Sequence, residues 1–168
     1  MNIEIKESEH IKGVLLVRLE AKFDRRGFNM EGYNQEKYAA AHPFFKKVKF
    51  PVDSFSHSRK GVLRGFHGDT KTHKLIQVLD GKIQFALIDK RAGGQDKMMN
   101  FYLDADNPMQ ILVPAGVVNA HLCLSDTCVF SYKLSQQYVD IKDQIHVSWT
   151  KNYHWKMSEP ILSPRDSI

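Results

Sequence analysis

The chain has 168 residues, 42% of them hydrophobic, which suits one domain that buries a core without disulfides or a structural metal. Its N-terminal residues do not form a signal peptide, and no window approaches the roughly 18 apolar residues of a membrane span, so we expect a soluble, cytoplasmic protein. The formal net charge is +5, but 24 basic residues are scattered among 19 acidic ones, which argues against nucleic acid and favours a small phosphorylated ligand.

Short runs of β-forming residues follow one another along the chain with turn residues between them. They predict about ten strands, near residues 13–19, 47–57, 61–66, 74–79, 82–89, 99–103, 110–113, 119–124, 128–134 and 144–149. Helical periodicity is clear at residues 34–42, where Pro43 is expected to end the helix. Many strands and few helices predict an all-β antiparallel sandwich or barrel, most simply a jelly roll, as a single domain over residues 1–168.

Two short segments are expected to be tight turns. Asp80 and Gly81 between apolar runs predict a type I′ hairpin, and residues 125–127 predict a similar turn. Cys123 and Cys128 lie in the apolar runs on either side of the second turn, which favours two buried free thiols over a disulfide.

The segment at residues 61–82 carries two His, two Lys, an Arg and an Asp between two apolar runs. Strict alternation along a strand would place Arg64 and His67 on opposite faces. Gly65 and Gly68 allow a bend or bulge, which would bring the two side chains together. This concentration of proton-transfer and anion-binding groups indicates half of an active site.

Six segments resemble the RmlC-type epimerases, which are the dTDP-4-dehydrorhamnose 3,5-epimerases and their relatives on other nucleotide sugars. In the family's order they are KFDRRGFNMEGYN (22–34), KGVLRGFH (60–67), HKLIQVLDGKI (73–83), ILVPAGVVNAHLCLSD (111–126), FSYK (130–133) and PILSPRD (160–166). The resemblance implies a cupin-like jelly roll, a homodimer, no metal or other cofactor, and a nucleoside-diphosphate sugar as substrate. It also implies epimerisation next to a 4-keto group.

Four polar residues match the catalytic positions of that family. His67 matches the base that removes the proton next to the ketone, and Asp166 matches the carboxylate that pairs with this base. Tyr132 matches the acid on the opposite face of the sugar, and Lys74 matches the cation near the enolate oxygen. The resemblance implies substrate contacts at Arg26, Phe28, Glu31, Arg64, Asn119, His121, Tyr138, Asp143 and Arg165.

The chain departs from the dTDP-acting members where the nucleotide and phosphates are recognised. Val52 and Ser54 replace a Gln and an Asn on either side of Asp53, and Asn119 replaces a His. The base, the acid and the lysine are retained, so we expect the same reaction on a different substrate. The pattern is similar to the capsular heptose epimerases, which favours a GDP-linked 4-keto-heptose over dTDP-4-keto-6-deoxyglucose. The sequence leaves open whether C3 alone or both C3 and C5 are inverted.

Three other functions compete with this interpretation. A metal-dependent cupin commonly carries a His-x-His ligand pair, which does not occur in this sequence. A nucleotide-sugar 3,4-ketoisomerase would use similar groups but would move the ketone. A non-catalytic sugar-binding jelly roll would not need all four of the catalytic residues.

Overall fold

The computed structural model describes residues 2–137, 139–152 and 154–167. In chain order, the strands are β1 (Ile3–Glu7), β2 (Leu15–Leu19), β3 (Lys22–Asp24), β4 (Gly27–Asn29), β5 (Val52–Arg59), β6 (Leu63–Gly68), β7 (Lys74–Asp80), β8 (Lys82–Asp89), β9 (Met98–Asp104), β10 (Met109–Val113), β11 (Val117–Cys123), β12 (Thr127–Leu134) and β13 (Ile145–His146). The helices are α1 (Gln35–Ala41) and α2 (Pro43–Lys47), with 3₁₀ turns at Ile141–Asp143 and Trp149–Lys151. None of the helices in the described ranges is long and apolar enough to cross a membrane.

Two antiparallel sheets pack face to face. One contains six strands in the order β1-β2-β10-β7-β12-β5, and the other contains five in the order β13-β6-β11-β8-β9. Strands β3 and β4 form a separate two-stranded ribbon. This arrangement confirms the expected all-β, cupin-like jelly roll.

The main core lies between the two sheets. Ile76 and Phe130 extend from the six-stranded sheet and pack in one cluster with Phe85 and Leu87 from the five-stranded sheet. Burial of each such side chain stabilises the fold by about 1.5–3 kcal/mol relative to exposure. Helices α1 and α2 cover the outer face of the six-stranded sheet, so β7 and β10 are buried on both faces.

The predicted hairpin at Asp80 and Gly81 is wrong. Strand β7 pairs with β10 and β12, whereas β8 pairs with β9 and β11, so this turn carries the chain from one sheet to the other. Gly81 does have a positive φ of 76°. A positive-φ glycine serves a corner between two sheets as well as a hairpin, and the local sequence does not distinguish them.

Other differences concern the first third of the chain. Helix α1 ends before Pro43, as predicted, but Pro43 then opens a second helix, α2, where it occupies the first turn. His42 caps the end of α1 and the start of α2, and the strand expected at residues 47–57 runs instead over Val52–Arg59. Strands β1, β3 and β4 were not expected. Cys123 and Cys128 are buried and unbridged, as predicted.

Candidate active site

A cavity of about 320 Å³ lies between the two sheets. Eight of the residues singled out from the sequence line it: Arg64, His67, Lys74, Asn119, His121, Tyr132, Arg165 and Asp166. They come from β6 and β11 of one sheet, from β7 and β12 of the other, and from the C-terminal segment. The fold therefore gathers into one space residues that are as much as a hundred positions apart in the sequence.

Strand β6 presents two of these side chains on the same side because it is irregular at Gly65. Between Arg64 and His67, β6 has two residues, whereas the paired strand β11 has one between their partners. The extra residue reverses the alternation, so both side chains reach the cavity. Gly65 has a φ of +116°, and a Cβ atom there would lie 2.4 Å from the carbonyl oxygen of Asn119. This close approach of the two strands requires glycine.

His67 and Asp166 form a close pair at the edge of the cavity. Nε2 of His67 lies 2.6 Å from Oδ1 of Asp166, and Oδ2 accepts a 2.9 Å hydrogen bond from the Ser163 hydroxyl. The His67 contact is short, and neither atom has another hydrogen-bond partner among the described residues. Desolvation lowers the pKa of His67 to about 4, although the Asp166 carboxylate acts in the opposite direction. The imidazole is therefore uncharged at neutral pH, as a base must be.

His146 lies beside this pair, so that three groups that can bind a metal converge. The ligand atoms of His67, His146 and Asp166 all lie within 4.8 Å of one another. Two ligands on one zinc ion are about 3.3 Å apart, since each bond is about 2.0–2.1 Å long. The 2.6 Å separation of His67 and Asp166 is shorter than that and fits a shared proton.

Lys74 lies deep in the cavity, and its ammonium group is oriented by two protein oxygens. Nζ donates to the carbonyl oxygen of His67 at 3.0 Å and to Oδ1 of Asn119 at 2.7 Å. An ammonium group has three N–H donors, so one is left for a ligand oxygen. Desolvation lowers the pKa of Lys74 to about 8. Asn119, which the resemblance implied as a substrate contact, therefore also positions the lysine.

Tyr132 lies on the wall opposite His67, since β12 and β6 belong to different sheets. The rings of Phe130 and Tyr132 are 5.8 Å apart, and His121 stacks on Phe130 at a centroid distance of 4.2 Å. His121 is 3% exposed, and burial lowers its pKa to about 3. Its Nε2 atom has no hydrogen-bond partner among the described residues. This aromatic group forms an uncharged part of the lining.

Four expected substrate contacts lie outside the cavity. Arg26 and Phe28 belong to the exposed β3–β4 ribbon, and Glu31 is paired with Lys37 on the surface. Asp143 is exposed in the first 3₁₀ turn. Tyr138, the remaining expected contact, lies outside the described residues.

The cavity also has polar lining residues that the sequence did not identify: Ser56, Asp69, Thr72, Gln144 and Ser163. Gln144 accepts a 2.6 Å hydrogen bond from Arg165, and Ser163 holds Asp166. Ser163 lies within the segment PILSPRD, so its position before the carboxylate was a usable signal. Gln144 offered none, because its neighbours carry no recognisable pattern.

The sequence matches one protein family over most of its length. Residues 8–168 match the family model described as dTDP-4-dehydrorhamnose 3,5-epimerase. The protein of that name from Shigella flexneri is 31% identical over 164 residues, which span 93% of this chain and 89% of the relative. Its counterpart from Escherichia coli K12 is 31% identical over 169 residues, which span 93% and 88% of the two chains.

Solved structures agree with this match. The dTDP-4-dehydrorhamnose 3,5-epimerase of Bacillus anthracis, with TDP and PPi bound, has a TM-score of 0.87 and 27% identity, and the match covers 99% of this chain and 98% of that one. A 3,5-epimerase from Legionella pneumophila in complex with dTDP-4-keto-L-rhamnose has a TM-score of 0.86 and 25% identity, with 99% and 90% covered. The expected family is confirmed. This chain belongs to the dTDP-4-dehydrorhamnose 3,5-epimerase family.

Proposed function

We propose that this protein inverts C3, with or without C5, of a nucleoside-diphosphate 4-keto sugar. One observation carries the proposal: His67 and Tyr132 extend from different sheets into the same cavity, which Lys74 also lines. Inversion needs a proton to leave from one face of the sugar carbon and another to arrive at the opposite face. Two proton-transfer groups on opposing walls meet that requirement.

In the proposed reaction, His67 removes the proton next to the ketone. The resulting imidazolium is stabilised by Asp166, which is 2.6 Å away and anchored by Ser163. The negative charge that develops on the ketone oxygen is stabilised by Lys74, which keeps one N–H donor for it. Tyr132 then donates a proton to the opposite face of the carbon.

For the substrate, we favour a GDP-linked 4-keto-heptose over dTDP-4-keto-6-deoxyglucose. The support is that Val52, Ser54 and Asn119 depart from the dTDP-acting pattern, while the proposed base, acid and lysine are kept. Asn119 also takes part in a bond to Lys74, so this departure lies within the proposed catalytic group. The relatives named above carry dTDP in their names, which makes the dTDP sugar the necessary comparison.

The deciding experiment offers GDP- and dTDP-linked 4-keto sugars to the protein in D₂O and follows them by NMR. We expect deuterium at C3 and inversion at that carbon, with the GDP sugar consumed faster. Deuterium together with inversion at C5 as well would assign double inversion. A product whose ketone has moved would contradict the proposal in favour of a ketoisomerase, and the absence of any exchange would contradict catalysis.

We further propose a homodimer in which the β3–β4 ribbon of one copy reaches the cavity of the other. The ribbon carries Arg26 and Phe28, which the family resemblance implies as substrate contacts but which lie outside their own chain's cavity. Its two aromatic rings, Phe23 and Phe28, contact each other at a centroid distance of 5.3 Å with their planes tilted by 48°, and they are 67% and 41% exposed. Exposed aromatic pairs of this kind are typical of a surface that another molecule covers.

A further inference from the structure

His146 packs against the proposed base from the neighbouring strand β13. Strand β13 pairs with β6 so that His146 is opposite His67, and their ring centroids are 5.3 Å apart. The His146 side chain is 28% exposed, and it is not among the described residues that line the cavity. His146 is therefore in contact with solvent, whereas His67 lines the cavity.

Both imidazoles converge on a single oxygen atom. Oδ1 of Asp166 lies 2.6 Å from Nε2 of His67 and 3.7 Å from Nε2 of His146. The other oxygen, Oδ2, is occupied by the Ser163 hydroxyl. The carboxylate therefore has one oxygen left for two rings, and one negative charge to balance any proton that they take up.

We propose that His146 is a positioning residue for the base. It shares Oδ1 of Asp166 with His67, and a positive charge on His146 keeps the His67 ring uncharged. The inference rests on the proposed function, since it needs His67 to act as a base. A proton on either ring opposes a proton on the other, because the two rings are close and share one counter-charge.

The charged and titratable groups around His67 act on its protonation in both directions. The Asp166 carboxylate favours protonation of His67 on β6. The positive charges of Arg165 and of a protonated His146 disfavour it. Desolvation is the largest of the effects that make His67 harder to charge. A positive charge on His146 therefore favours the uncharged form of the base.

The test compares His146→Asn, which removes the charge, with His146→Lys, which makes it permanent. In His146→Asn, we expect the acid limb of kcat/KM to move to higher pH by about half to one pH unit, because His67 now takes its proton more easily. In His146→Lys, the acid limb should stay at or below that of the wild type. His10→Asn, at an exposed histidine elsewhere, should leave the profile unchanged.

A second readout does not depend on turnover. NMR titration of the imidazole signals should give a higher midpoint for His67 in His146→Asn than in the wild type. Superimposable profiles and titrations in these two proteins would overturn the inference, as would the same shift in His146→Lys, because packing alone would then explain it. If no 4-keto sugar is turned over, the proposed function fails, while the His67 titration still decides this inference.

Discussion

At the scale of single residues, the cavity holds its ionisable groups in defined charge states. Desolvation lowers the pKa of His67 to about 4 and that of Lys74 to about 8. At neutral pH, the imidazole is therefore free to accept a proton, and the ammonium group still carries most of its charge. A carbanion next to a ketone needs both conditions at once, since one group must take a proton while another stabilises the oxygen.

The first prediction concerns the proposed base. His67→Asn should lower exchange of the C3 hydrogen with D₂O by at least about 10²–10⁴-fold, because it removes the group that is proposed to take the proton. The measurement is NMR of the deuterated position over time. Thermal unfolding of the variant controls for misfolding, and exchange at the wild-type rate by a folded His67→Asn protein would rule out the role.

The second prediction concerns the proposed acid. Tyr132→Phe keeps the ring against Phe130 but removes the hydroxyl. Deuterium should still enter C3, since His67 remains, while net inversion should fall more steeply than exchange. The ratio of exchange to inversion is measured in one NMR time course. Unchanged product formation would show that the second proton comes from another group.

The third prediction concerns His121. Burial lowers the pKa of this ring to about 3. Below pH 6.5, His121 is therefore protonated in the unfolded chain but still uncharged in the folded protein. Its contribution to stability is fully present above pH 6.5 and is lost as the pH falls towards 3. Between pH 7.5 and pH 5, this amounts to about 2 kcal/mol.

His121→Phe should keep the stack on Phe130 and remove this pH dependence. We expect its free energy of unfolding to fall by about 2 kcal/mol less than that of the wild type over the same interval, measured in urea. His154→Asn, at an exposed histidine, serves as the control. Equal pH dependence in wild type and His121→Phe would mean that the ring accepts a proton in the folded state.

The sequence identified the cavity residues that carry recognisable chemistry, but not those that hold them. His67, Lys74 and Tyr132 stood out because their residue types and neighbours match a family. Gln144 and His146 did not, because their partners are 21 and 20 positions further along the chain, at Arg165 and Asp166. A contact of that kind depends on the path of the backbone, which the local pattern does not contain.

At the scale of elements, the bulge in β6 decides which side chains reach the ligand. A fourth prediction tests it: Gly65→Ala would place a Cβ atom 2.4 Å from the carbonyl oxygen of Asn119 and 2.6 Å from Cα of Ala120. Both contacts are with backbone, so the strands must separate. We expect a loss of stability of about 1–3 kcal/mol, the usual range for overpacking, and a larger proportional loss of exchange activity.

Gly93→Ala is the matched control for this change. Gly93 also has a positive φ, of 82°, but nothing lies within 4 Å of a Cβ atom there. Gly93→Ala should show the loss of stability caused by an alanine with a positive φ, without the steric clash. Its activity should be unaffected. If the two variants unfold at the same denaturant concentration, the close approach of β6 and β11 is not what requires glycine.

The sequence predicted the strands that are extensively buried and missed strands that are exposed. Strands such as β8 and β11 are buried along nearly their whole length, and most of their residues are apolar. Strands β3 and β4 have three exposed residues each, so no burial pattern marks them. The pairing of the strands was harder to predict than their positions, because a glycine turn can connect two strands of a hairpin or two strands in different sheets.

At the scale of the whole molecule, the two sheets supply opposite halves of the site. Because His67 and Tyr132 belong to different sheets, their separation is set by the core between the sheets rather than by a loop. Such a core is close-packed and resists compression, which keeps a reaction geometry constant. The ribbon is the exception: its exposed strands form a separate sheet, and in the proposed dimer it would reach the site of the other copy.

The last prediction tests whether a second copy completes the site. A chain with Arg26→Ala and Phe28→Ala should be nearly inactive because its ribbon lacks the proposed substrate contacts. A chain with His67→Asn should be nearly inactive because its cavity lacks the proposed base. In a mixed dimer, one cavity combines an intact His67 with an intact ribbon from the partner. Random mixing makes half of the dimers mixed, with one working site of two, so about a quarter of wild-type activity should return. If each ribbon served its own chain, the mixture would stay inactive, and sedimentation would show whether dimers had formed at all.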